Sequence, residues 1–268
     1  MNILKKEQKI HYTLRIASSM CLVGHGAFGV ITKKIWLNYF GVFGIAHSQA
    51  FQLMPWLGTF DILIGVFLLF YPTRAFLLWL VIWGSITALL RPLSGEPFAE
   101  AIERAGNYGA PLVMLILYRL GKNTLLYWFT GVDPDMVIPE KRLFQAEKTL
   151  RIIVFLLLAG HGWLNILEKK ALVDQFQSLG FSNPIRAAHI VGVVEFFAAN
   201  IVLIRPVRPL LLLLFFWKMG TELFYPRLEI FEWIERGGSY GSILALYWIS
   251  PSLGSNLLIR RRLSLDPK

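Results

Sequence analysis

The stretch LRIASSMCLVGHGAFGVITKK (residues 14–34) returns as LRIIVFLLLAGHGWLNILEKK (residues 150–170). Both begin Leu-Arg, carry Gly-His-Gly in the middle and end Lys-Lys. The correspondence extends outward from there. Gly58, Asp61, Pro72 and Arg74 return as Gly192, Glu195, Pro206 and Arg208, and Thr87 and Pro92 return as Thr221 and Pro226. Glu103-Arg104, Gly106 and Tyr108-Gly109 return as Glu235-Arg236, Gly238 and Tyr240-Gly241. The offset falls from 136 at His25 and His161 to 134 at Asp61 and Glu195, and to 132 at Tyr108 and Tyr240. Two short deletions in predicted loops account for the drift. The chain is a duplicated unit, so a reading of one half has to make sense in the other.

Composition decides where such a unit lives. Of 268 residues, 55% are hydrophobic and 16% charged, with a mean hydropathy of +0.54; soluble domains carry about 25% charged residues. The apolar residues come in long blocks, as bilayer-spanning helices require. Nine Trp, nine Tyr and twenty Phe suit anchoring at two membrane interfaces. The net charge of +10 flanks the apolar blocks, which makes it a topology signal and speaks against a nucleic-acid partner. Cys21 is the only cysteine and lies in an apolar helix, so it reads as a buried, inert thiol.

The blocks predict an all-α integral membrane protein with about eight spanning helices, four per half: 14–32, 55–71, 73–93 and 107–120, then 149–167, 185–205, 208–226 and 238–252. Lys5, Lys6 and Lys9 ahead of an apolar run have the form of a signal peptide. The matching block at 150–167 lies mid-chain, however, so the first block is expected to stay as a helix. With an even number of spans per half, the two four-helix bundles are parallel repeats related by a pseudo-two-fold along the membrane normal. Residues 1–132 form the first repeat, 133–148 a cytoplasmic linker with Pro134 and Pro139, and 149–268 the second. With the N-terminus inside, the inner side holds 17 Lys and Arg and the outer side 9, which places both termini in the cytoplasm of a cell (inner or plasma) membrane. Lys33, Lys34, Lys169 and Lys170 run against that bias. Segments 33–54 and 168–183 are too polar to span and predict interfacial or re-entrant pieces. Ser182-Asn183-Pro184 reads as a helix start. Tyr127, Trp128 and Phe129 read as an interfacial belt, and Arg260-Arg261-Arg262 as a stop and a contact for anionic lipid.

Ionisable groups within apolar blocks are the candidate binding or proton-handling residues, because each is costly there. His25 and His161 sit mid-helix between glycines that admit a neighbouring helix. They read as neutral imidazoles bonded to a neighbour, or as binding or proton-handling groups. Their two-fold placement also permits a pair of axial haem ligands, though nothing else in the sequence demands one. Asp61 and Glu195 follow Gly58 and Gly192 by three residues, so each carboxyl faces a closely packed helix. The leading expectation is that they partner His25 and His161. Lys218 and Glu222 share a helix face, while their counterparts are Gly84 and Ala88; they either neutralise each other or mark a pocket confined to the second half. Glu103, Arg104, Glu235 and Arg236, with Tyr108 and Tyr240, are expected in structural roles at the outer surface, where an acid complements a helix dipole.

No phosphate-binding loop, dinucleotide fingerprint, H-E-x-x-H or nucleophile elbow is present, which argues against a self-contained hydrolase or kinase; no metal site is expected. The chain resembles the DoxX-like membrane family, whose four-helix unit opens with Arg, then His-Gly mid-helix, then Lys. Arg15 … His25-Gly26 … Lys34 and Arg151 … His161-Gly162 … Lys170 fit that pattern. So do Glu195 … Pro206-Val207-Arg208 and, with Asp for Glu, Asp61 … Pro72-Thr73-Arg74. Residues 262–266 (RLSLD) are similar to the family's usual ending, which the first copy lacks. The resemblance implies one four-helix copy per half. It also implies a membrane subunit or accessory protein associated with a redox or quinone-linked complex, with the bilayer and other complex subunits as partners and no cofactor of its own beyond a quinone. A small-solute or proton transporter with a site between the repeats, using Asp61, Glu195 and the Lys218–Glu222 pair, is one alternative. A membrane-embedded enzyme acting on a lipid or quinone through His161 and Glu195 is another.

Overall fold

The computed structural model describes residues 4–119, 124–224 and 230–251. Pro226, the triple arginine, the 262–266 ending and the expected helix ends at 120, 226 and 252 lie outside them. Among the described residues the chain is all-helical. The first half folds as α1 (Lys6–Val30), α2 (Trp36–Gly41), α3 (His47–Phe70), α4 (Arg74–Leu93), α5 (Ala99–Glu103) and α6 (Ala105–Tyr118). After the short α7 (Leu125–Phe129) come α8 (Glu140–Ile166), α9 (Lys170–Ser178), α10 (Pro184–Ile204), α11 (Arg208–Leu223), α12 (Ile230–Glu235) and α13 (Gly237–Ile249). Every interval expected to span carries a helix.

Several helices begin earlier than their apolar blocks. α1 starts at Lys6, and α8 starts at Glu140, inside the stretch read as a linker. Their first turns are rich in Lys, Glu, Gln and Arg, which are good helix formers that carry no hydropathy signal. Packing holds them in place: Ile10 is fully buried, His11 Nδ1 lies 2.6 Å from the Tyr118 hydroxyl, and Arg142 donates to the Leu117 carbonyl at 2.6 Å. α3 likewise runs back through Pro55 to His47, so residues 47–54 are helix and not part of a re-entrant loop. The expected start at 184 holds: Asn183 accepts from the Arg186 N–H at 3.0 Å and Pro184 occupies the first turn.

Among the described residues four helices are long and apolar enough to cross a membrane: α3, α4, α8 and α10. α6, α11 and α13 have 14, 16 and 13 residues. At about 1.5 Å per residue they fall short of the roughly 30 Å hydrocarbon layer. The outer helices are apolar on the outside. Trp56 and Phe70 on α3, Phe197 and Ile204 on α10, and Leu213 and Phe216 on α11 are all exposed, Trp56 and Ile204 by more than three quarters. A soluble protein rarely shows so continuous an apolar surface.

Inside, α1 packs on α3 and α8 on α10; α4 packs on α6 and α11 on α13. The halves also interlock, with α1 against α12 and α13 and α8 against α5 and α6. One large core results, drawing on both halves: Leu14, Met114 and Leu117 join Leu150, Leu158 and Leu246. The glycines beside the histidines make the close approaches their position suggests. A Cβ on Gly162 would lie 2.7 Å from the Gly192 carbonyl oxygen, and one on Gly29 would lie 2.7 Å from Gly58 Cα. Replacing Gly162 by Leu forces α8 and α10 apart and is expected to cost on the order of 1–3 kcal/mol. Chemical unfolding in detergent micelles, followed by Trp fluorescence, is expected to show a lower midpoint for this variant and little change for Gly41→Leu, where a Cβ meets nothing.

Candidate functional site

Each half builds the same buried triad. In the first, His25 Nδ1 donates to Asp61 Oδ2 at 2.8 Å, and Trp83 Nε1 donates to the same oxygen at 3.1 Å. In the second, His161 Nδ1 donates to Glu195 Oε2 at 2.5 Å, and Trp217 Nε1 to Glu195 Oε1 at 3.1 Å. The α1–α3 and α8–α10 glycine contacts bring each imidazole to its carboxylate. The bond fixes each ring with Nδ1 toward its carboxylate and Nε2 on the opposite side. The expectation that the acids partner the histidines is met in both halves. The tryptophans were missed, although Trp83 and Trp217 repeat at the same offset of 134 as the acids.

A second set of charges crosses between the halves. Arg104 Nη1 meets Glu235 Oε1 at 3.0 Å, and in mirror fashion Arg236 Nη1 meets Glu103 Oε1. Outside these, Lys33 Nζ lies 2.7 Å from Glu232 Oε2 and Lys169 Nζ 2.6 Å from Glu100 Oε1. Glu103, Arg104, Glu235 and Arg236 are each at most 4% exposed. They are therefore not surface groups tending helix dipoles, as expected from sequence, but the centre of the contact between the halves. α5 and α12 end within one residue of them and press their backbones against α8 and α1, where Gly160 and Gly24 give room. The lysines that weakened the topology signal find their explanation here, since Lys33 and Lys169 anchor crossed pairs. Their partners Glu100 and Glu232 repeat at an offset of 132 and were legible as such. Burial alone would raise the Glu100 carboxyl's pKa; Lys169 and Arg91 more than offset it and hold it below the ordinary carboxylate value. Tyr108 donates to the Ala101 carbonyl at 3.4 Å, while Tyr240 packs against Trp233 at 5.7 Å between ring centroids.

Between α1, α2, α4 and this charged centre lies a cavity of about 250 Å³. Its walls are aromatic: Trp36, Tyr39, Phe40 and Trp83 line it, with Trp36 4.6 Å from the His25 ring. His25, Arg104, Asn107 and Glu235 supply its polar end. Cys21, read as a buried thiol, is buried and also lines this wall. Tyr39 donates to Glu96 Oε1 at 2.6 Å; burial pushes its phenol pKa up, against the pull of Arg91, which keeps it a donor.

The second half carries different side chains at the corresponding positions. Where α4 has Gly84 and Ala88, α11 places Lys218 and Glu222, paired at 3.1 Å and both at most 5% exposed. Where α2 has Tyr39, α9 has Gln175, which donates to the Thr221 carbonyl at 2.6 Å. Of the two expectations for Lys218 and Glu222, mutual pairing is seen, while the cavity of about 250 Å³ lies beside the corresponding positions of the first half. Glu103, His161 and Glu222 do bring ligand atoms within 4.8 Å of one another, a spacing compatible with a metal ion. Lys218 and Arg236 already engage the same carboxylates, so their charge is compensated from within.

No family model, curated protein or solved structure matches this chain.

The crossed pairs generate a measurable expectation. Removing one partner of a buried pair strands the other charge and costs about 3–5 kcal/mol, whereas replacing both by apolar residues is near neutral. Arg104→Met alone is expected to lower the unfolding midpoint sharply, and Arg104→Met with Glu235→Met to restore most of it. A double variant no better than the single one would mean that the pair does not carry the contact.

Proposed function

We propose that the chain is an eight-span protein of the plasma membrane, with both termini cytoplasmic and two parallel four-helix repeats related by a pseudo-two-fold along the membrane normal. In this reading the short helices α6 and α13 complete their crossings together with α5 and α12, which directly precede them. The exposed apolar faces of α3, α10 and α11, with the charges gathered at the centre, support it.

Within that membrane the chain serves as a subunit or accessory protein of a redox, quinone-linked complex, in line with its resemblance to DoxX-like units. The observation that carries this is the first-half cavity, where an aromatic-walled space sits beside an imidazole whose Nδ1 is tied to Asp61. A flat, lipid-soluble ring fits between Trp36 and Trp83, with a polar atom toward His25. The volume of about 250 Å³ falls below the ~300–1,000 Å³ of sites for larger ligands. It admits a ring headgroup and leaves no room for a haem. Transport through Asp61, Glu195, Lys218 and Glu222 finds less support, because all four are held by protein partners. Catalysis at His161 meets the same objection, since its ring is held by Glu195.

Purification into lipid nanodiscs without solvent washing, followed by organic extraction and an oxidised-minus-reduced ultraviolet spectrum, checks the reading. A quinone near one per chain, reduced at least several-fold in Trp83→Ala, is the expected result. Quinone-free protein that also brings down no redox subunit would end it.

A further inference from the structure

The two halves offer one frame twice, and they differ in the side chains set on it. On the first-half wall several polar groups have no partner among the described residues. The Asn107 side chain, 6% exposed, makes no hydrogen bond, and its Oδ1 is fully enclosed. Arg104 uses Nη1 for Glu235, while its buried Nε has no acceptor. The His25 ring, its Nδ1 bonded to Asp61, lines the same wall. Leaving such groups unmatched is costly in a closed, apolar setting. The charged groups around them are each paired: Arg104 with Glu235, Arg91 with Glu96 and Glu100, Lys33 with Glu232, and Asp61 with His25 and Trp83. The cavity therefore asks for a neutral molecule that brings both a donor and an acceptor.

A hydroxyl is the smallest group that does so, with one O–H and two lone pairs. Donating to Asn107 Oδ1 and accepting from Arg104 Nε, it would satisfy both enclosed groups, with the His25 ring beside it. The walls, Trp36, Tyr39, Phe40 and Trp83, ask for a ring on which that hydroxyl sits. In the second half Lys218 and Glu222 stand at the positions of Gly84, which lines the cavity, and Ala88, one turn further on.

We propose that the first-half cavity is a binding site for a neutral, phenol-type ring whose hydroxyl meets Arg104 and Asn107 beside His25, and that the second-half copy is plugged by its own Lys218–Glu222 pair, so that each chain binds one such ring. The inference rests on the reading that the chain works on a lipid-soluble ring compound. It adds that the hydroxyl-bearing, reduced form is preferred to one that only accepts hydrogen bonds.

The full chain in nanodiscs is titrated with 1-naphthol and with 1-methoxynaphthalene, which lacks the O–H, using Trp fluorescence quenching and equilibrium dialysis for stoichiometry. The expected result is one 1-naphthol per chain and at least tenfold weaker binding of the methoxy compound. Gly84→Lys with Ala88→Glu carries the plug into the first half and abolishes binding. Gly84→Leu, whose Cβ meets nothing closer than 3.4 Å, does the same by bulk alone if the double variant folds poorly. Lys218→Gly with Glu222→Ala opens the second copy and raises the stoichiometry toward two. Equal binding of both probes overturns the hydroxyl assignment. Saturable binding that survives Gly84→Leu overturns the site, as does the absence of any saturable binding. A stoichiometry held at one after the second-half plug is removed overturns the plug. Because these probes are supplied from outside, a preparation that carries no native quinone, yet binds 1-naphthol as described, defeats the quinone-linked role and leaves the site standing.

Discussion

The reciprocal ion pairs at the centre set the terms for the rest of the molecule. Arg104 reaches Glu235 and Arg236 reaches Glu103, each from one half into the other. A buried charge without its partner costs several kcal/mol, so neither half closes its own interior: Glu103 and Arg104 find their closest partners in the second half, and Glu235 and Arg236 theirs in the first. That requirement explains why α5 and α12, short and otherwise unremarkable, lie flat against α8 and α1. It explains why Gly24 and Gly160 cannot carry a side chain. It also explains why one hydrophobic core serves both repeats. Lys33–Glu232 and Lys169–Glu100 repeat the pattern one layer out.

Around that centre the two triads hold their rings alike, and the first of them lines a cavity of about 250 Å³. The halves differ at two positions on one helix. Gly84 lines the cavity beside His25, while Lys218 and Glu222, at the positions of Gly84 and Ala88, form a buried pair near His161. Duplication permits such a division, since the frame of the site is fixed by the crossed pairs and the glycine contacts, and side chains on α4 and α11 vary without disturbing it.

Much of this was legible before any coordinates. The glycine three residues before each acid placed Asp61 and Glu195 on a tight helix contact, and the histidine partners followed. Trp83 and Trp217, and Glu100 and Glu232, repeat at offsets already in hand; they were passed over because a tryptophan in an apolar block reads as lipid anchor, and an acid in a loop reads as solvated. The early starts of α1 and α8 were hidden for another reason. Their first turns are charged, and hydropathy marks what is apolar, not what is helical.

The sequence by itself determined the duplication, the all-helical class, the apolar blocks and the pairing of each imidazole with a carboxylate. Those are matters of period and spacing along one helix or two adjacent ones. Only the tertiary structure decided that Glu103-Arg104 and Glu235-Arg236 bind each other across the halves, and that the open space lies beside His25. Both depend on how far elements distant in the chain approach, and spacing within a helix carries no record of a distance between helices.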